Sequence, residues 1–382
     1  MQLEEAKEKK VEYLELIYDL IFVYIIGRNN SLLQRVEGGF VPLGVFFAYV
    51  LCTLAVIQIW NFSTFYINLY GRNGVRDHVF LFINMYLLYH MAYGISVQWQ
   101  ASFYRFCIAW ALILINIGIQ HIIELRNHRG APWEEKQLKR NAVIILSEAA
   151  LVLVHMLVYK LWGVSIAYVP ILFGMAATAL SGRINALVPV DFAHLTERAM
   201  LYVVFTFGEM IIAVAAYFGS DVTPNALYFS LMAFLIVVGL FLTYGVFYNR
   251  IINRGKATNG TGYMMLHVFL IFALNNISAA LEFMREESVA LMPKTLFLTG
   301  SFVLYFTFMF LLGIYAKRRC AFNVRFVLAL ILSAVCFVLL MLFFRSMMYV
   351  NIAVTVVYVF GIFLFVYRHA ASMDKTEALS DV

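Results

Sequence analysis

Long apolar stretches alternate along the chain with short polar interruptions, and each stretch has roughly the length of a bilayer crossing. A spanning helix needs about 20 mostly apolar residues. The pattern divides into twelve such runs: 11–27, 39–60, 77–98, 101–123, 141–162, 166–188, 196–218, 225–248, 261–283, 293–316, 325–344 and 347–367. Pro42, Pro170, Pro224 and Pro293 fall at the starts of the second, sixth, eighth and tenth runs, where a missing amide hydrogen leaves no helical bond unmade. The expectation is an all-α polytopic membrane helix bundle of about 12 transmembrane helices.

The starts of the first six runs and of the last six differ by 181 to 192 residues. That spacing predicts two six-helix repeats, 1–190 and 191–382. Local chemistry partly follows it: HVFLFIN from His78 resembles HVFLIFALN from His267. With six spans each, both halves would enter from the same side and be related by an axis along the membrane normal. Short loops between twelve spans would also give regular spacing, so both readings of the offsets stay open.

Charge tests the orientation. Of 28 Lys and Arg, 21 fall on one side of the twelve-span topology, from Lys7, Lys9 and Lys10 through Arg72, Arg76, Arg183 and Arg198 to Arg368 and Lys375. Positive residues concentrate on the cytoplasmic side, which predicts a multi-pass cell-membrane protein with both termini cytoplasmic. The net charge of +6 then follows from loops that meet anionic lipid heads. Membrane lipids are the expected partners, with a small solute or ion; no nucleic acid partner is expected, and a homodimer is left open. Composition agrees: 63% of residues are hydrophobic and 13% charged, against roughly 25% charged in soluble domains. The start MQLEEAKEKK has no cleavage-site pattern, so the first run is expected to stay as a helix. Cys52, Cys107 and Cys336 fall in runs and Cys320 in a loop. Their spacing suits neither a disulfide framework nor a zinc site, and they read as packing residues.

Carboxylates inside the runs carry the candidate chemistry. Glu12, Glu15 and Asp19 are spaced to share one helix face, and Asp19 lies about 12 Å along the axis from residue 11. The seventh run holds Glu197 and Arg198 near its start and Glu209 near its middle, after Gly208, which would let a neighbouring helix approach closely. The fifth run adds Glu148 and His155, on one face but about 10 Å apart along the axis. An ionised group in hydrocarbon is costly and by default a site hypothesis, so Glu15, Asp19, Glu209, Glu197, Arg198, Glu148 and His155 are the candidate substrate or ion-binding residues. Asn84, His90, Asn116, Asn275 and Asn276 read as interhelical hydrogen-bonding residues. Arg28, Arg105 and Glu282 read as groups snorkelling to the interface.

At these residues the chain resembles the low-temperature-requirement A (LtrA) family of bacterial membrane proteins. That family carries an N-terminal Glu-Leu-Phe-Phe-Asp-Leu-Val-Phe-Val. Here ELIYDLIFV, Glu15 to Val23, matches it with Ile17 and Tyr18 at the two aromatic positions. A second family segment, Ala/Thr-Glu-Arg followed about eleven residues later by Gly-Glu-Ser-Ile, is matched by TERAMLYVVFTFGEMI. Glu197, Arg198, Gly208 and Glu209 stand at the family positions, and Met210 replaces the usual Ser. The N-terminal signature is also similar, more distantly, to the Phe-Ser-Asp motif of lysosomal-type potassium channels, which line a pore with the first helix of each six-span repeat.

Carboxylates in duplicated halves fit a transporter of a small solute or ion, coupled to protons or cations. One alternative is a cation channel lined by the first and seventh helices. The other is a membrane-embedded enzyme or sensor, but no His-Glu-x-x-His, Gly-x-Ser-x-Gly, phosphate loop or dinucleotide fingerprint occurs, so neither an enzyme nor a cofactor is expected.

Overall fold

The computed structural model of the protein describes residues 9–95, 99–215, 217 and 223–380. Lys7 and the ends of the third and seventh runs, at 96–98 and 218, lie outside them. Thirteen α-helices follow one another: α1 (Tyr13–Asn30), α2 (Leu43–Tyr70), α3 (Val75–Tyr93), α4 (Trp99–Leu125), α5 (Pro132–Trp162), α6 (Tyr168–Leu180), α7 (Gly182–Asn185), α8 (Phe192–Ala215), α9 (Pro224–Val246), α10 (Thr261–Arg285), α11 (Leu291–Leu311), α12 (Val324–Phe343) and α13 (Met348–Ser380). Among the described residues extended pairing is limited to two isolated bridges, Glu37 with Phe40 and Ile252 with Ala316.

Each apolar run coincides with a helix, the sixth being divided between α6 and the one-turn α7. Among the described residues nine helices, α2, α4, α5 and α8 to α13, are long and apolar enough to cross a membrane. The chain is a multi-pass membrane protein. By the same measures α1 and α3 are too polar and α6, at 13 residues, too short.

Three helices depart from the expected limits, and the last of them, α13, runs on from residue 367 to Ser380. The fifth begins at Pro132 and not at residue 141, because Pro132 sits in the first turn with Glu134 and Glu135, a combination that starts helices and matches their dipole. The second runs on to Tyr70, so Asn61, Ser63, Thr64 and Asn68, outside the expected run, are helical and buried.

The chain divides into two compact units. The first comprises Met1–Arg35, Val41–Tyr202 and Arg254–Val268, and the second Val36–Phe40, Val203–Asn253 and Phe269–Val382. In the first, α1 packs on α2 and α3, α4 on α2, α3 and α5, and α6 on α2 and α5. In the second, α13 packs on α9, α11 and α12. Phe337 stacks on Tyr358 there at 4.1 Å, and Asn323 caps α12 by accepting from the Phe326 amide at 2.8 Å.

Candidate functional site

Asp19 and Glu15 converge on one cation in the first unit. Arg198, from the first turns of α8, donates through Nε and Nη2 to the two Asp19 oxygens at 3.1 and 2.6 Å, and through Nη1 to Glu15 Oε2. This is the planar, two-bond geometry that guanidinium offers a carboxylate. Trp60 Nε1, on α2, donates to Asp19 Oδ1 at 2.9 Å. Glu15 is 3% exposed, and Asp19 and Arg198 are fully buried. The penalty of placing carboxylates on α1 is therefore met by a charge partner, not by direct solvation of Asp19.

Aromatic rings dry the pair. Tyr18 and Phe22 on α1, Trp60 on α2 and Tyr202 on α8 are all buried. Trp60 and Tyr202 have ring centres 4.6 Å apart, and Phe22 and Tyr202 5.9 Å. Tyr18 shares a hydrogen bond with Ser63 at 2.9 Å. Water is excluded from the Asp19 end, which strengthens the ion pair.

Glu15 stands at the other, wetter end. Its Oε1 accepts from the Glu12 amide at 3.4 Å, closing the first turn of α1. A surface vestibule bordered by Lys9, Glu12, Arg72, Asp77 and His78 reaches Glu15. Lys9, ahead of α1, donates from its backbone to Asp191 Oδ2 at 2.9 Å and from Nζ to Gly71 O at 2.8 Å and to Ile67 O, so it caps the carbonyl end of α2. Burial holds its ammonium below the usual lysine range, against the pull of Glu15, Asp77 and Asp191.

His194, one helical turn before Arg198, fixes the charge of the cluster. Its Nε2 lies 3.3 Å from Glu15 Oε2. On the other side, Asn68 Oδ1 accepts from the Asp191 amide at 3.1 Å, which turns Asn68 Nδ2 toward the Asp191 carbonyl at 2.8 Å and toward His194 Nδ1 at 3.0 Å. With an amide donor facing it, Nδ1 accepts, and the ring proton of a neutral His194 sits on Nε2, facing Glu15. Two carboxylates then share one guanidinium, so Glu15, Asp19 and Arg198 sum to one excess negative charge, with the Lys9 ammonium on the vestibule as the next cation near Glu15.

The other expected residues lie apart from it. Glu197 is half-buried beside Arg198, without an ion pair among the described residues. Glu209 follows Arg198 on α8 by eleven residues, about 16 Å along the axis. The close approach that Gly208 permits is not used: among the described residues no heavy atom lies within 4 Å of where its Cβ would stand. Arg76, expected at an inner loop, is instead engaged with the buried Glu124. Glu148 on α5 accepts from Gln58 on α2 at 3.1 Å, while His155 accepts at Nδ1 from the Ile166 amide at 3.1 Å. Asn116 donates to Asn84 at 2.9 Å, the expected bond between helices α4 and α3.

Sequence reasoning missed Trp60, Ser63 and Asn68, all on the segment of α2 at and beyond residue 60, and Asp191, whose side chain accepts from the His194 amide at 3.0 Å and starts α8. The signal was present: Gln58, Asn61, Thr64 and Asn68 recur at spacings of three, three and four.

The cluster joins the two segments on which the resemblance rests, ELIYDLIFV through Glu15 and Asp19 and TERAM through Arg198. The family profile described as Bacterial low temperature requirement A protein (LtrA) matches residues 10–360. The chain belongs to the LtrA family. None of the curated proteins matches it. Within this LtrA-family chain, two motifs nearly half the sequence apart are thus parts of one buried ionic cluster.

Proposed function

We propose that this LtrA-family protein is a transporter of a small solute or ion, coupled to a proton or cation taken up at Glu15, and that it performs no covalent chemistry. The observation that carries the reading is the excess negative charge: Glu15 and Asp19 share Arg198, and His194 faces Glu15 as a neutral donor. A buried net charge favours uptake of a compensating cation. Asp19 already accepts three bonds, so it holds Arg198 in place. Glu15, bordered by the vestibule, is the exchanging group, and in this reading the vestibule opens to the cytoplasm on the side of both termini.

Flux in proteoliposomes tests it, with a panel of alkali cations and small metabolites driven by an imposed pH gradient. The parent protein is expected to give saturable flux that responds to the gradient. Glu15→Gln keeps the shape and removes the exchangeable charge, so it should fold and lose the pH response. Gradient-driven flux that is unchanged in this variant would overturn the assignment of Glu15. Leak that never saturates would overturn the carrier.

A further inference from the structure

A second pocket in the first unit lies between α2, α4, α5 and α6, away from the carboxylate cluster. Phe106, Cys107 and Trp110 line it from one face of α4, Ala48 and Cys52 from α2, and His155 from α5. Among the described residues that line it, none is Asp, Glu, Lys or Arg. A charged ligand would therefore lose its hydration there without a counter-charge.

Two buried donors border this pocket without acceptors. The Trp110 Nε1 and His155 Nε2 atoms have no hydrogen-bond partner among the described residues, although both side chains are buried. For His155 the proton can be assigned: Ile166 donates its amide to Nδ1 at 3.1 Å, so Nδ1 is the acceptor and the neutral ring carries its hydrogen on Nε2. Phe103 stands edge-on to this ring at 5.0 Å and helps hold its orientation. A buried N–H left unpaired is costly, and hydrocarbon offers no water to satisfy it.

The mouth shows where a ligand would come from. Phe47 and Tyr168, at the starts of α2 and α6, are 61% and 51% exposed and line the same pocket. Exposed apolar and aromatic side chains in a membrane-spanning chain meet lipid or the interface. The bilayer itself supplies apolar molecules that carry carbonyl oxygens.

We propose that this pocket binds a lipophilic molecule from the bilayer, which offers carbonyl oxygen to the Nε1–H of Trp110 and the Nε2–H of His155. The chemistry is shared by glycerolipid esters and isoprenoid quinones. Both have an apolar body for the walls and an uncharged acceptor for the two donors. The site is separate from the transport reading and does not depend on it.

Titration of the full-length purified protein in detergent with dioleoylglycerol, and separately with decylubiquinone, tests it. At least one probe is expected to raise the melting temperature saturably. The loss of one hydrogen bond in Trp110→Phe or His155→Phe should weaken binding about three- to tenfold. Ala48→Leu fills the pocket without touching either donor and should abolish binding, which keeps the test decisive if a donor variant fails to fold. Binding of dioleoylglycerol alone assigns an ester lipid, and of decylubiquinone alone a quinone. If neither probe saturates, or if the variants that fold bind like the parent, the proposal is overturned.

Discussion

Asp19 and Arg198 lie 179 positions apart in the chain and meet through two nearly parallel bonds of 2.6 and 3.1 Å. No other arrangement of these residue types fixes orientation so tightly: the guanidinium fork matches both carboxylate oxygens at once. The pair ties the first helix to the start of the eighth inside an aromatic enclosure. Its formation depends on long-range packing, since neither α1 nor α8 could bury its charge alone.

Arg198→Met should leave Glu15 and Asp19 facing each other without a cation and destabilise the protein by about 3–5 kcal/mol. Arg198→Lys retains the charge but not the fork, and its loss should be smaller. Asp19→Asn combined with Arg198→Met removes one of the unpaired charges and should be more stable than Arg198→Met alone. Melting in detergent checks the order; an Arg198→Met protein as stable as the parent would refute the buried pair.

Asn68 is expected to set the tautomer of His194. In the parent protein, imidazole nitrogen chemical shifts should report the hydrogen on Nε2. Asn68→Leu removes the donor that faces Nδ1, so the hydrogen should no longer be held on Nε2 and the shifts should report both tautomers. A hydrogen on Nδ1 in the parent would contradict the assignment.

The carboxylates of α1 were legible because ionised residues stand out in an apolar run, and Arg198 stood out for the same reason. Their convergence was legible as a need for a partner, with Arg198 or His194 as the candidates, but not as a geometry, since the pairing spans nearly half the chain. The polar face of α2 was lost for a different reason. Asn61, Ser63, Thr64 and Asn68 lower the local hydropathy as a loop would, yet they are buried on a continuous helix against α1, α8 and the 191 turn. Gly208 misled in the opposite direction: a small residue permits a close helix approach but does not require one.

Crossing number and orientation follow from accessibility at two loops. Val164 follows α5 and Ala257 precedes α10, and α6, α8 and α9 lie between them. If α6 and the one-turn α7 together complete the crossing that α6 alone is too short to make, as the twelve-run division expects, three crossings put the two positions on opposite sides. In a Cys336→Ser background, which removes the exposed native thiol, Val164→Cys should label only from outside intact cells and Ala257→Cys only after permeabilisation. Labelling of both from one side would overturn the three crossings.

Gly174 should tolerate no side chain. It lies on α6 against the Gln58 to Glu148 bond, and a Cβ there would stand well inside contact distance of Glu148 Oε2 and Gln58 Nε2 and 2.7 Å from Glu148 Cδ. Both neighbours are side-chain ends and could move, but each is buried, and moving either breaks the 3.1 Å bond between them. Overpacking of this kind costs about 1–3 kcal/mol, while an alanine on a helix returns at most about 1 kcal/mol of propensity. Gly174→Ala should therefore lower the melting temperature. In a Gln58→Ala background one obstacle and the bond itself are already gone, so adding Gly174→Ala should cost less than it does in the parent. Equal costs in the two backgrounds would show that α6 yields as a whole, and that the Glu148 carboxyl does not set its approach.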